Sequence, residues 1–207
     1  MALVKHNNNS ISAVTNMASL STGSMTLIKE QTASSSASIS FVDGSSDVVL
    51  DSTYPIYKFE FINIHPDTHD VLFMFNLSSD GGSNYNVTKT TTLYYATHSE
   101  DDAVAQLTYY TAKDLAQSTA DATFSLHPGA ENDESCSGSM FLYNPSSTTF
   151  VKHFMSTMNT YYHGDRTYQT FCAGYGNTTS AIDGVKFVME SGNIESGTIK
   201  LYGIKDS

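Results

Sequence analysis

The chain has 207 residues and a formal net charge of −11, from 21 acidic against 10 basic residues, with 13 Tyr, 11 Phe, no Trp and one arginine, Arg166. Without clustered Lys and Arg to neutralise phosphates, this balance argues against DNA, RNA or an anionic membrane surface as partner. No apolar run approaches the ~20 residues that a membrane-spanning helix needs, so no membrane insertion is expected. A chain of this size buries roughly 70% of its unfolded surface and needs neither disulfide nor metal to fold.

Residues 1–24 are polar and weakly periodic, with isolated Leu3, Ile11, Val14 and Leu20. Their composition is that of an arm or linker, either a disordered leader or an extended arm that orders on a neighbouring subunit through those four residues. Lys5 is followed by Asn7-Asn8-Asn9-Ser10 and not by an apolar stretch, so no secretory signal is expected and the protein is read as made in a cytoplasm. In that compartment Cys136 and Cys172 are expected as reduced thiols. The sequons at Asn8, Asn76, Asn86 and Asn177 are expected to stay unmodified.

From Met25 onward the signals are those of strands. Short β-prone runs at 26–30 and 38–42 flank a serine-rich link, and Asp43-Gly44 turns the chain into Val48-Val49-Leu50. Residues 56–64 and 71–77 alternate strongly, with Tyr57, Phe59 and Phe61 on one side and Val71, Phe73, Phe75 and Leu77 on the other. They are expected to pair as a hairpin through His65-Pro66-Asp67-Thr68. Residues 87–97 form a Thr- and Tyr-rich strand that the acidic knot Glu100-Asp101-Asp102 ends, and 107–110 a further strand. One helical turn is admissible, at 112–117, and His127 to Gly138 reads as a long surface loop.

The strongest hairpin signal is Phe141 to Met158, where Asn144-Pro145-Ser146-Ser147 separates two apolar runs. Pro145 cannot donate to a ladder, and Asn and Ser side chains bond their own backbone, so these residues favour a turn. Phe141, Tyr143, Phe150 and Phe154 are expected in the core. Residues 168–175 form the next strand, and 185–190 with 198–202 a final pair entered by Asp183-Gly184. Ten or so strands with turns every 8 to 12 residues predict an all-β protein, an antiparallel β-sandwich of jelly-roll type at 25–207 with an N-terminal arm at 1–24.

Chemistry is sparse. His65-Pro66-Asp67-Thr68-His69-Asp70 has metal-ligand residue types, but on a proline-containing loop the spacing guarantees no common centre, and it reads as a polar turn. The acidic stretches 80–84 and 131–134 lack the spacing of a calcium loop. No nucleophile elbow surrounds a serine, and Cys172 lies in an apolar strand where thiols are buried and inert. His153 reads as a core or interface histidine. Tyr161, Tyr162, His163 and Arg166 share one loop, and with Tyr175 they are the candidates for interface or glycan contact, plain loop packing being the third reading. No catalytic residue, cofactor or metal site is assigned, and the protein is read as no enzyme.

Residues 141–154, FLYNPSSTTFVKHF, and 191–205, SGNIESGTIKLYGIK, together with 28–33, IKEQTA, and the run from Ser38 to Ile64, resemble a family of virion structural proteins of marine tailed bacteriophages of the cyanophage and pelagiphage kind. The similarity spans most of 25–205. It implies a place in a phage particle assembled in a host cytoplasm, as a capsid decoration or cement protein or a tail-attached subunit. Other virion proteins are the implied partners, and a homo-oligomer such as a trimer is expected around a symmetry axis. The alternative is a carbohydrate-binding module for a host-surface glycan, with Tyr161, Tyr162 and Tyr175 as stacking residues. The absence of Trp weighs against it.

Overall fold

The computed structural model describes residues 24–205, which carry twelve strands and no helix. In chain order these are β1 (Met25–Thr32), β2 (Ile39–Val42), β3 (Ile56–Pro66), β4 (Phe73–Ser78), β5 (Lys89–Ser99), β6 (Ala105–Tyr109), β7 (Ala122–Ser125), β8 (Cys136–Tyr143), β9 (Lys152–Tyr162), β10 (Arg166–Gly176), β11 (Gly184–Met189) and β12 (Ile194–Ile204). They form two antiparallel sheets packed as a sandwich. One has eight strands in the order β1-β12-β3-β8-β9-β10-β5-β6, the other four in the order β2-β11-β4-β7.

Within this arrangement β1/β2, β3/β4, β7/β8 and β11/β12 each split across the two sheets, an order consistent with a jelly roll. The hairpins β5–β6 and β9–β10 are insertions. They extend the large sheet beyond the four strands that the small sheet matches, so this half of it is covered by β7 together with loops.

Alternation explains which side chains meet. Tyr57, Phe59 and Phe61 of β3 and Phe73, Phe75 and Leu77 of β4 are all fully buried. The Phe61 ring centroid lies 5.5 Å from Phe73, 5.1 Å from Phe124 and 5.0 Å from Phe187, mostly edge to face, and Phe187 also meets Phe41, Phe59, Phe73 and Phe124. Burying each such ring contributes about 1.5–3 kcal/mol from area alone.

Several sequence expectations change here. β3 and β4 do not pair: β3 lies between β12 and β8, while β4 lies between β11 and β7. β11 and β12 likewise part company, into the small and large sheets. In both cases the chain crosses the core, because two apolar faces are satisfied as well by packing across a sandwich as by lateral pairing. No helical turn forms at 112–117, and Val48-Val49-Leu50 is buried at its ends without joining a sheet. The expected surface loop after His127 ends at Cys136, where β8 starts, and it carries the almost fully buried Glu134.

The hairpin around Asn144-Pro145 is present, β8 pairing with β9 through Met140↔Ser156 and Leu142↔Phe154. Its facing is the reverse of expectation for three of four residues. Phe154 is core, but Phe141 and Tyr143 lie on the outer side, Phe150 is 68% exposed in the connection, and Met140, Leu142 and Met158 point inward instead. A one-residue shift in the reading flips every side chain in a strand. The arm residues Leu3, Ile11, Val14 and Leu20 lie outside the described residues.

Candidate functional site

Registers place a continuous row of side chains on the outer surface of the large sheet. Lys58, Phe141, Met155, Ala173 and Thr92 are cross-strand neighbours in that order. The next row holds Ser139, Thr157, Phe171, Tyr94 and Tyr109. Tyr94 and Phe171 stack with centroids 4.9 Å apart and planes 14° from parallel. The Lys58 ammonium sits 5.8 Å from the Phe141 ring centre.

Met155, 54% exposed, stands between two shallow grooves. One, of about 240 Å³, is bounded by Tyr94, Phe141, Tyr143 and Phe171, and the other, of about 430 Å³, by Thr90, His153, Ala173 and Tyr175. The floor of the second requires Gly174, where a Cβ would lie 2.3 Å from the Thr90 carbonyl oxygen and 2.9 Å from the Phe154 ring. The band continues to both sheet edges, with Leu107 (72% exposed) and Tyr109 on β6 and Met25 and Leu27 on β1.

The residues nominated from sequence fall into two places. Tyr161 and Tyr162 end β9, His163 lies in the turn and Arg166 opens β10, whereas Tyr175 sits near the far end of β10 facing His153, their ring centroids 6.3 Å apart. Nine residues of strand, roughly 30 Å, separate the two groups. Tyr162 is no open platform, since its ring packs on His163 at 4.2 Å and Tyr168 at 5.5 Å. Tyr161 donates to Asp165 Oδ1 at 3.2 Å, and desolvation together with that carboxylate pushes its phenol up to about 12.

Two polar clusters complete the survey. His65 Nδ1 bonds the Glu134 carbonyl at 2.6 Å beside Glu195, and Ala130 N–H donates to His69 Nδ1, so the 3.6 Å approach of Glu134 to that nitrogen is not a hydrogen bond. Among the described residues no group of three or more His, Cys, Asp or Glu is placed to hold a metal ion. Cys136 and Cys172 are free, buried thiols whose pKa values burial raises to about 12.

The second cluster is interior at Lys89 and Asn76, with Asp121 26% exposed at its edge. Lys89, at the start of β5, is 0% exposed and donates to Asn76 Oδ1 at 2.5 Å and to the Val87 carbonyl at 2.8 Å. Asn76 Nδ2 donates to Asp121 Oδ1 at 2.7 Å and to the Thr119 carbonyl at 3.0 Å, while Leu77 N–H donates to Asn76 Oδ1 at 2.9 Å. Burial is the main cause that lowers the Lys89 pKa to about 8. Sequence reading missed this cluster, since a Lys, an Asn and an Asp at 89, 76 and 121 carry no local pattern. It also missed the outer band, whose one visible trace was the apolar Met155 on the second side of β9.

Comparisons with known proteins add little. No family model and no curated protein matches the chain. A solved structural-genomics protein of unknown function from Bacteroides ovatus aligns over 51% of this chain and 45% of its own length, with 7% identity and a TM-score of 0.28. The chain thus spans less than half of that protein, and a likeness of this size carries no argument. No helix among the described residues is long and apolar enough to cross a membrane.

Proposed function

We propose that this protein is a non-enzymatic structural subunit of a phage particle, a capsid decoration or tail-attached piece, that binds neighbouring subunits through the outer surface of its eight-stranded sheet. The particle comes from the sequence resemblance. The mode of binding is carried by one observation: the outer band from Phe141 and Met155 through Phe171 and Tyr94 to Tyr109 and Leu107 is largely apolar, contiguous and not covered by any other of the described residues. Apolar patches of that kind, rimmed by polar residues, mark association surfaces. At its end β6 has, among the described residues, no strand on its outer edge, a template for pairing with another chain. The experiment is to purify particles, identify the chain by mass spectrometry and repeat after removing tails. Recovery with heads or with tails supports the reading and divides its two forms, and absence from particles ends it.

A second reading, a glycan-binding surface, has one observation in its favour: the stacked Tyr94–Phe171 pair beside a groove holding Tyr175. It moves the stacking residues away from Tyr161 and Tyr162. A glycan array with Tyr94→Ala as control tests it: binding that the substitution removes supports it, and an array without binding leaves the assembly reading.

A further inference from the structure

The interior cluster of Lys89, Asn76 and Asp121 has an arrangement that simple charge compensation does not explain. If Lys89 were a buried cation held by a counter-ion, Nζ would contact Asp121, yet the Asn76 carboxamide is interposed between them. The amine lies on the oxygen side of the amide at 2.5 Å and the carboxylate on its nitrogen side at 2.7 Å. The orientation of the amide is determined by its partners. Oδ1 faces two donors, Lys89 Nζ and Leu77 N–H, and Nδ2 faces two acceptors, Asp121 and the Thr119 carbonyl, so a flipped amide would oppose donor to donor.

We propose that Lys89 and Asn76 join spontaneously into an intramolecular isopeptide bond between β5 and β4, with Asp121 as the proton shuttle. An Nζ···Oδ1 contact of 2.5 Å sets Nζ about 3–3.5 Å from Asn76 Cγ, so turning the amine from the oxygen to the face of the amide brings it to attacking distance. The neutral amine attacks Cγ, and the charge that develops on Oδ1 is met by the Leu77 N–H already directed at it. In the tetrahedral adduct both nitrogens are bonded to Cγ, and there Asp121, already hydrogen-bonded to Nδ2, takes the proton from Nζ and delivers it to Nδ2. The Nζ–Cγ bond forms, the Cγ–Nδ2 bond breaks and one ammonia leaves. Nothing is oxidised or reduced, and no co-reactant is needed.

The surroundings favour the reaction. Lys89 and Asn76 are 0% and 1% exposed, and the strand neighbours Phe75 and Leu77 are fully buried, so water does not compete for the carbonyl. Desolvation lowers the Lys89 pKa to about 8, which leaves roughly a tenth of the amine neutral at pH 7. The charged groups that act on it are Asp121, which raises its pKa, and Lys186, which lowers it and stands 3.5 Å from Asp121. The product is an uncharged secondary amide in place of a buried amine. This inference stands apart from the virion reading and needs only the folded chain.

The test is made on the full-length protein, by intact mass and peptide mapping after incubation at pH 8. The expected result is a mass one ammonia below that of the sequence, and a branched peptide linking the Asn76 and Lys89 segments. Succinimide formation at an asparagine also loses ammonia but gives no branched peptide, so ammonia loss with linear peptides only overturns the proposal, as does an intact mass that retains every ammonia. In Asp121→Asn, folding verified by circular dichroism, the branched peptide is expected to be absent or to form many-fold more slowly. Formation at the wild-type rate in that variant overturns the role given to Asp121.

Discussion

The two halves of the large sheet's inner surface are built by different rules. Under β12, β3 and β8 the interior is aromatic and aliphatic, with Phe59 and Phe61 meeting Phe41, Phe73, Phe124 and Phe187 across the sandwich. Under the inserted hairpins Leu93, Phe154, Met158 and Cys172 also face inward, but they alternate with the buried polar residues Lys89, Thr91, Thr97, Lys152, Ser156, Thr160 and Thr170. Where the small sheet supplies an apolar partner face, stability comes from area. Where β7 and loops cover the sheet, buried polar groups such as Thr91 bind the covering backbone, as when Leu115 N–H donates to Thr91 Oγ1 at 2.8 Å, while the Thr97 and Thr170 hydroxyls have no partner among the described residues. The second device gives less per residue but specifies positions more tightly.

The contrast is broken most strongly at Phe61. Phe61→Ala removes a fully buried ring that packs on Phe73, Phe124 and Phe187 and is expected to cost about 3–5 kcal/mol, read as a fall in the urea midpoint at unchanged slope. In the polar half, Ser125 and Thr160 share a buried hydrogen bond of 2.7 Å. Thr160→Val strands the serine hydroxyl and is expected to cost about 1–3 kcal/mol, with Ser125→Ala/Thr160→Val recovering much of it. A double variant no better than the single would deny that the polar half depends on paired groups.

A smaller effect concerns the thiols. The ordinary thiol pKa of 9.0 is raised to about 12 for both Cys136 and Cys172, so above pH 9 the unfolded chain holds fewer protons than the folded one. Their contribution to stability is therefore full below pH 9 and is lost as pH rises from 9 to 12. Native protein at pH 8 is expected to resist iodoacetamide, and denatured protein to take two equivalents. The smallest effect is at the open edge, where Leu107→Lys, on a side chain 72% exposed, is expected to change stability by less than about 0.5 kcal/mol.

What was legible in the sequence follows from which interactions are local. The alternation of Tyr57, Phe59 and Phe61 announces a strand with one buried side, because the period belongs to the strand itself. Its pairing partner is not announced: alternation alone suggests that β3 and β4 pair, whereas they face each other across the core. Aromatic character points Phe141 and Tyr143 inward, but Met140 and Leu142 alternate equally well and take the interior. The outer band draws on five strands and the Lys89 cluster on three separated segments, so neither leaves a signal along the chain.

The claim that the outer band is an association surface is tested most directly by sedimentation velocity over a rising concentration series, on the wild type and on Met155→Glu/Phe171→Glu. Both side chains lie on the outer side, so the fold is expected to persist. The account predicts concentration-dependent self-association of the wild type that the two charges abolish. Association of equal strength in both proteins, or a wild type that stays monomeric throughout, would contradict it.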